Sequence, residues 1–203
     1  MMNDRLAWLD LEMTGLEPER HVIVEIAALI TDADLKPLDD GINIVIHADE
    51  EQLAEMDEVV TRMHTRSGLL DAIRLSTVDV PTAQAAVLEY VKSHVPYQRS
   101  VPLCGSSIGT DRRFLAKYMP DLEEYLHYRS VDVSSIKELA RRWYPATFAN
   151  RPQKETAHRA LDDVHESAHE LRFYRDTLFV KEDPAAAVKI DHGGAAETGS
   201  TDS

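Results

Sequence analysis

Three β-prone runs fall within the first 48 residues, and the connections between them are short. Arg5 to Leu11 is apolar and β-prone and ends in polar residues. HVIVEIAALITD, from His21 to Asp32, reads as a mostly buried strand. Asp39-Asp40-Gly41 marks a turn, and GINIVIHA supplies the third run. Strands joined this way form an antiparallel meander. The chain then changes character. Glu50 to Ser76 shows helical spacing with polar interruptions, and Pro81 opens a helix over TAQAAVLEYVKSHV, as proline in a first turn permits. After Pro96 the elements alternate. VPLCG is a short strand, a helix begins over Asp111 to Lys117, and Tyr128 to Val133 is another strand. Ser134 is placed to cap the helix SIKELARRW, and Ala146 to Thr156 is a polar loop. Arg159 to Leu178 is the last helix, with Ala160, Leu161, Val164, Ala168, Leu171 and Phe173 on its apolar side. A meander followed by such alternation predicts an α/β fold: one mixed sheet of antiparallel and parallel strands with helices on both faces.

With 203 residues the chain is long enough for one domain with a substantial core. That domain is expected over residues 1–180, and the small, polar, Gly-rich stretch 181–203 is expected to be a disordered acidic tail. Hydrophobic and charged contents of 43% and 29% are ordinary, but a net charge of -14 is not. A protein that grips long nucleic acid usually presents a basic face, because neutralising phosphates supplies much of the affinity. The acidic balance therefore disfavours a long nucleic acid and permits a very short one. The single cysteine, Cys104, cannot form an intrachain disulfide. MMNDRLAWLDLE lacks the apolar core of a signal peptide, and no apolar run is long enough to span a bilayer. A cytoplasmic protein without membrane contact is expected.

Asp10 and Glu12 are two residues apart on a strand, so both project to one face, at the strand's C-terminal end. Like charges this close repel unless a cation or a proton offsets them. Taken alone, the pair also reads as solvated residues at a fraying strand end. Asp111 stands where a helix begins, and an ordinary helix-start acid would do the same. Asp162 and Asp163 are consecutive near the start of the final helix and point in different directions, so one of them can face a site. His158 precedes that helix in a polar stretch. Four carboxylates and a histidine can hold two divalent metals beside one base. Hard oxygen ligands suit Mg²⁺ or Mn²⁺, and no Cys/His set with zinc spacing competes. That chemistry suits hydrolysis of a phosphodiester bond.

A rival reading uses Gly105-Ser106-Ser107-Ile108-Gly109, which fits the G-x-S-x-G nucleophile elbow of an esterase, with Asp132 and His158 following in order. It leaves Asp10, Glu12 and Asp163 without a role.

On these residues the chain resembles the DEDDh class of 3′-to-5′ exonucleases and, within it, the oligoribonuclease family. The likeness covers nearly all of Asn3 to Phe179, and its most specific stretches are DLEMTGL, SSIGTDRRFLAKYMPDLEEYLHYRSVDVSSIKELARRW and HRALDDVHES. The resemblance implies a ribonuclease H-like fold and hydrolysis of very short RNA, especially dinucleotides, to 5′-mononucleotides. Asp10, Glu12, Asp111 and Asp163 match the metal-binding acids, and His158 matches the general base. Leu16 matches a leucine that wedges between the bases. Ser107, Arg129 and Ser134, with His64, match residues that cap the substrate's 5′ phosphate. The family works as a homodimer, and Tyr128 matches a tyrosine that enters the partner subunit's active site. A base-stacking aromatic is also implied, but AEMDEVVTRMH contains none, and Val59 or Met63 stands in that region.

Overall fold

The computed structural model describes residues 4–153 and 159–180. Three strands open the fold: β1 (Arg5–Met13), β2 (Ile23–Asp32) and β3 (Ile42–Val45). Four helices follow: α1 (Glu50–Leu53), α2 (Glu58–Arg66), α3 (Leu69–Leu75) and α4 (Val80–His94). The alternating half comprises β4 (Pro102–Gly105), α5 (Gly109–Tyr118), α6 (Pro120–Tyr125), β5 (His127–Asp132), α7 (Val133–Trp143), α8 (Pro145–Ala149) and α9 (Ala160–Leu178). The five strands form one sheet in the order β3-β2-β1-β4-β5. The β1–β2 and β2–β3 pairs are antiparallel, whereas β4 pairs in parallel with β1 and with β5. This is the expected mixed sheet.

Alternation along β1 assigns its side chains to two layers. Ala7, Leu9 and Leu11 join Ile26, Ala28, Ile30 and Leu103 against Val87, Val91, Phe114 and Leu115 from α4 and α5. Trp8 faces the other way and packs with Ala27, Leu29, Cys104, Val133 and Val164, on the side of α7 and α9. Helices thus cover both faces, and strict period-two alternation sends Asp10 and Glu12 toward α9.

Three local expectations change. Asp132, not Ser134, caps α7: its carboxylate accepts the Ser134 backbone N–H at 2.9 Å, and Ser134 lies within the first turn. The loop expected from Ala146 to Thr156 begins with the helical turn α8, which Pro145 opens. Arg112, which with Arg113 reads in the sequence as a solvated helix start, does not stand free in solvent; its guanidinium donates to the carbonyls of His127 (2.6 Å) and Tyr128 (2.8 Å) and to Ser130 Oγ (2.9 Å). The tail expected over 181–203 lies outside the described residues.

Candidate active site

β1 pairs with β4 only at Ala7 and Trp8, so the acid-bearing end of β1 runs past its parallel neighbour. The Leu11 N–H in that overhanging stretch donates to Asp111 Oδ1 at 3.1 Å. An interaction of this kind completes a backbone group the sheet leaves unpaired. It also draws the first turn of α5 to the strand end.

Asp10, Glu12 and Asp163 come together. One carboxylate oxygen from each lies within 4.8 Å of the others. Asp162, its neighbour, points to solvent. Burial is the main force that raises the Glu12 carboxyl to about 8, followed by the negative charges of Asp163, Glu25 and Asp111. Burial likewise lifts Asp111 to about 6, against the lowering effect of its backbone hydrogen bonds. Hard oxygen donors, crowded and under electrostatic strain, are a donor set that a divalent cation relieves. The residues fit such an ion.

His64 is fully buried. Its Nε2 lies 3.0 Å from the Met13 carbonyl, and its Nδ1 lies 4.0 Å from Glu12 Oε2. His158 lies outside the described residues.

Of the other expected residues, Ser107 and Ser134 lie just past the end of β4 and Leu16 on the loop after β1, whereas Tyr128 and Arg129 stand at the opposite end of the sheet, level with Arg5 and Leu6. Ser107 follows β4 with a left-handed φ of 60°, and its N–H donates to Asp132 Oδ1 (2.9 Å) and to Ser134 Oγ (3.2 Å). Ser107 and Ser134 are therefore adjacent. The elbow-like turn of the esterase reading is present, but Asp132 is already engaged as the α7 cap and by the Ser134 hydroxyl at 2.6 Å. On β5, Pro102 pairs with His127 but Leu103 pairs with Ser130, so Tyr128 and Arg129 bulge out of the ladder. Tyr128 is 76% exposed, stacked on the His127 ring at 4.4 Å, with the Arg129 guanidinium 5.7 Å from its own ring. Leu16 is 68% exposed on the loop after β1. That loop is strapped to α5 by Arg113 donating to the Leu16 carbonyl (3.3 Å) and Lys117 to the Pro18 carbonyl (2.7 Å). Gly15 leaves room there for the His21 ring, which a Cβ would meet at 2.5 Å. Val59, in the region where the aromatic is missing, is exposed.

Two residues escaped the sequence reading. Glu25 lies opposite Glu12 in the β1–β2 register and is fully buried, and Arg159 grips it with Nη2–Oε1 at 2.6 Å. The available signal was a lone carboxylate inside the apolar run VIVEIAALI, because buried acids are rare unless paired.

An exonuclease family model matches residues 7–171 of the chain. Oligoribonuclease from Mycobacterium avium (strain 104) is 53% identical over 199 residues, covering 95% of this chain and 93% of the relative. Oligoribonuclease from Mycobacterium bovis (strain BCG / Pasteur 1173P2) is 51% identical over 208 residues, covering 100% and 97%. Among solved structures, cell-death related nuclease 4 superposes with a TM-score of 0.65 at 14% identity, covering 86% of this chain and 64% of that one. Exonuclease I from Methylocaldum szegediense superposes with a TM-score of 0.63 at 17% identity, covering 86% and 41%. At these identities the structural matches establish the ribonuclease H-like exonuclease fold alone.

Proposed function

The chain belongs to the oligoribonuclease group of the RNase T exonuclease family, and from that premise we propose that this 3′-to-5′ exoribonuclease acts on very short RNA, dinucleotides above all, releasing 5′-mononucleotides. The observation that carries the reading is the convergence of Asp10, Glu12 and Asp163, with Asp111 held at the same strand end. These four acids would hold two divalent ions, Mg²⁺ or Mn²⁺, directly or through water. When bound, the ions supply positive charge for the attacking and leaving oxygens of the phosphodiester.

His158 takes the proton from the attacking water, and its place five residues before Asp163 supports that role. The water oxygen bonds to phosphorus, the bond to the 3′ oxygen of the preceding nucleotide breaks, and the terminal nucleotide leaves with its 5′ phosphate. Ser107, Ser134 and Arg129 hold the substrate's 5′ phosphate. The adjacency of the two serines and the exposure of Arg129 support that cap. Hydroxyls and a guanidinium satisfy a terminal phosphate and shut out a longer chain. Leu16, exposed on its strapped loop, wedges between the bases. Buried His64 serves by steadying the Glu12–Met13 strand end.

The protein works as a homodimer in which Tyr128 enters the partner subunit's site; its exposure on the edge strand β5 supports this. No described helix is long and apolar enough to cross a membrane, and the single buried Cys104 supports a reducing cytoplasmic setting.

The test is turnover of a 5′-labelled RNA series, from the dinucleotide to about twenty nucleotides, with Mg²⁺ and with chelator. Metal-dependent cleavage, fastest on the dinucleotide, is expected. Equal or faster cleavage of long strands would replace the capped-substrate reading with a trimming enzyme. No loss of cleavage with chelator would overturn the metal assignment.

A further inference from the structure

α9 carries Asp163 into the site, yet it lacks an N-terminal side-chain cap of its own: its N-cap position is Arg159, which makes no cap hydrogen bond. A helix start leaves four N–H groups without intrahelical partners. One of them is satisfied from another strand. The Ala160 N–H donates to Glu25 Oε2 at 3.1 Å. The same carboxylate receives Arg159 Nε at 2.9 and 3.2 Å and Nη2 at 2.6 Å, while Asn43 Nδ2 on β3 donates to Oε1 at 2.9 Å. Glu25 therefore has its acceptor sites filled by groups from β3 and from the start of α9, and it has no exposure to water.

The position of this knot matters. Glu25 is the direct cross-strand partner of Glu12. Asp163 lies one turn along α9, with its N–H on the Arg159 carbonyl at 3.0 Å. Glu12 and Asp163 thus approach each other from a strand and a helix whose junction is fixed at Glu25 and Arg159. Two buried carboxylates in cross-strand contact repel unless a cation stands between or beside them. Arg159 supplies that charge, and its field acts on Glu12 in the lowering direction. A guanidinium is suited to the task, since its planar fork binds a carboxylate in two places and it stays charged when partly buried.

We propose that Glu25 and Arg159 are positioning residues of the exonuclease site: a clamp that seats the first turn of α9 on β2 and thereby sets Asp163 against Glu12. The clamp touches neither substrate nor ion. It acts through the two acids, and it rests on the reading of those acids as a divalent-cation site.

The test uses Arg159→Met, Arg159→Lys and Glu25→Gln in the full chain, with wild type and Asp163→Asn as references. Mn²⁺ binding without substrate is measured by calorimetry, folded fraction by circular dichroism, and kcat and KM on a dinucleotide. The expectation is that Arg159→Met and Glu25→Gln lose about 10- to 100-fold in Mn²⁺ affinity and in kcat, the range seen when supports of metal ligands are removed. Arg159→Lys restores the charge without the fork and recovers part of that loss. If Arg159→Met does not fold, the Lys and Gln variants carry the same comparison. Folded variants with wild-type Mn²⁺ affinity and wild-type kcat, or a loss of melting temperature alone, would overturn the clamp. Mn²⁺ bound equally well by wild type and Asp163→Asn would instead overturn the cation site beneath it.

Discussion

The carboxylate centre and a rim of exposed side chains are held by different parts of the chain. At the centre, buried side chains are held at their own carboxylates. Glu12 and Asp111 are nearly buried and Glu25 completely so; Asp111 is fixed by the Leu11 N–H and Glu25 by the Arg159 fork, while Glu12 is crowded against Asp163. At the rim, the residues that face solvent are held by their backbones. Arg113 supports the Leu16 carbonyl and Arg112 the Tyr128 carbonyl, while the Leu16 and Tyr128 side chains stay exposed. A buried charge without its partner is expensive, whereas an exposed side chain can change at little cost to folding. Centre substitutions should therefore alter turnover and stability together, and rim substitutions should alter substrate preference alone.

The largest effects should come from the centre. His158→Ala should lose about 10²–10⁴-fold in kcat, the worth of a general base, while the protein remains folded and still binds Mn²⁺. Asp163→Asn should lose on the order of 10²–10³-fold, whereas the solvent-facing Asp162→Asn should stay within about twofold. Steady-state kinetics on a dinucleotide decides both. The reverse order for the two aspartates would place the wrong carboxylate in the site.

At the rim, Arg129→Ala should raise KM for a 5′-phosphorylated dinucleotide about 10-fold or more, the worth of a lost charge-assisted hydrogen bond. Its kcat and melting temperature should hold. Selectivity for the dinucleotide over a longer strand should narrow in the same variant. A change confined to kcat would erase the distinction between the two regions.

The two regions also differ in how much the sequence disclosed. Strand periodicity placed Asp10 and Glu12 on one face, and the β1–β2 register and the α9 layer follow from the same alternation. Residue spacing alone left Asp162 and Asp163 open, because helix rotation is set by which side chains meet the sheet; the family likeness singled out Asp163. The Ser134 cap was misassigned by two residues because Asp132 and Ser134 are both good caps, and only the backbone shows which turn comes first. Arg112 was misread as solvated because nothing local tells a surface arginine from one that completes a distant bulge. Ser107, Arg129, Tyr128 and Leu16 had no physical signature at all; only the family likeness singled them out. Glu25 could have been found, since a charge within an apolar strand asks for a partner, but its partner is 134 residues away in sequence.

The smallest predicted effect concerns pH and isolates the centre again. Without a cation, the Glu12 carboxyl in the folded protein titrates near 8, against an ordinary value of 4.5. Between those values the folded state keeps a proton that the unfolded chain has released. Stability then falls as pH rises through that window and levels off above it. Asp111, raised from 3.8 to about 6, adds the same sign over a narrower and more acidic range. Thermal melts in chelator from pH 5.5 to 8.5 should show a downward slope. Glu12→Gln should flatten it by about 2–4 °C, the shift that roughly 1 kcal/mol makes in a domain of this size. Saturating Mn²⁺ should remove the slope in the wild type, since a bound cation favours the ionised carboxylate and so replaces the proton. Arg129→Ala, at the rim, should melt with the wild-type pH dependence. A slope shared equally by all three proteins would place its origin outside the centre and leave the burial of Glu12 without the energetic consequence assigned to it.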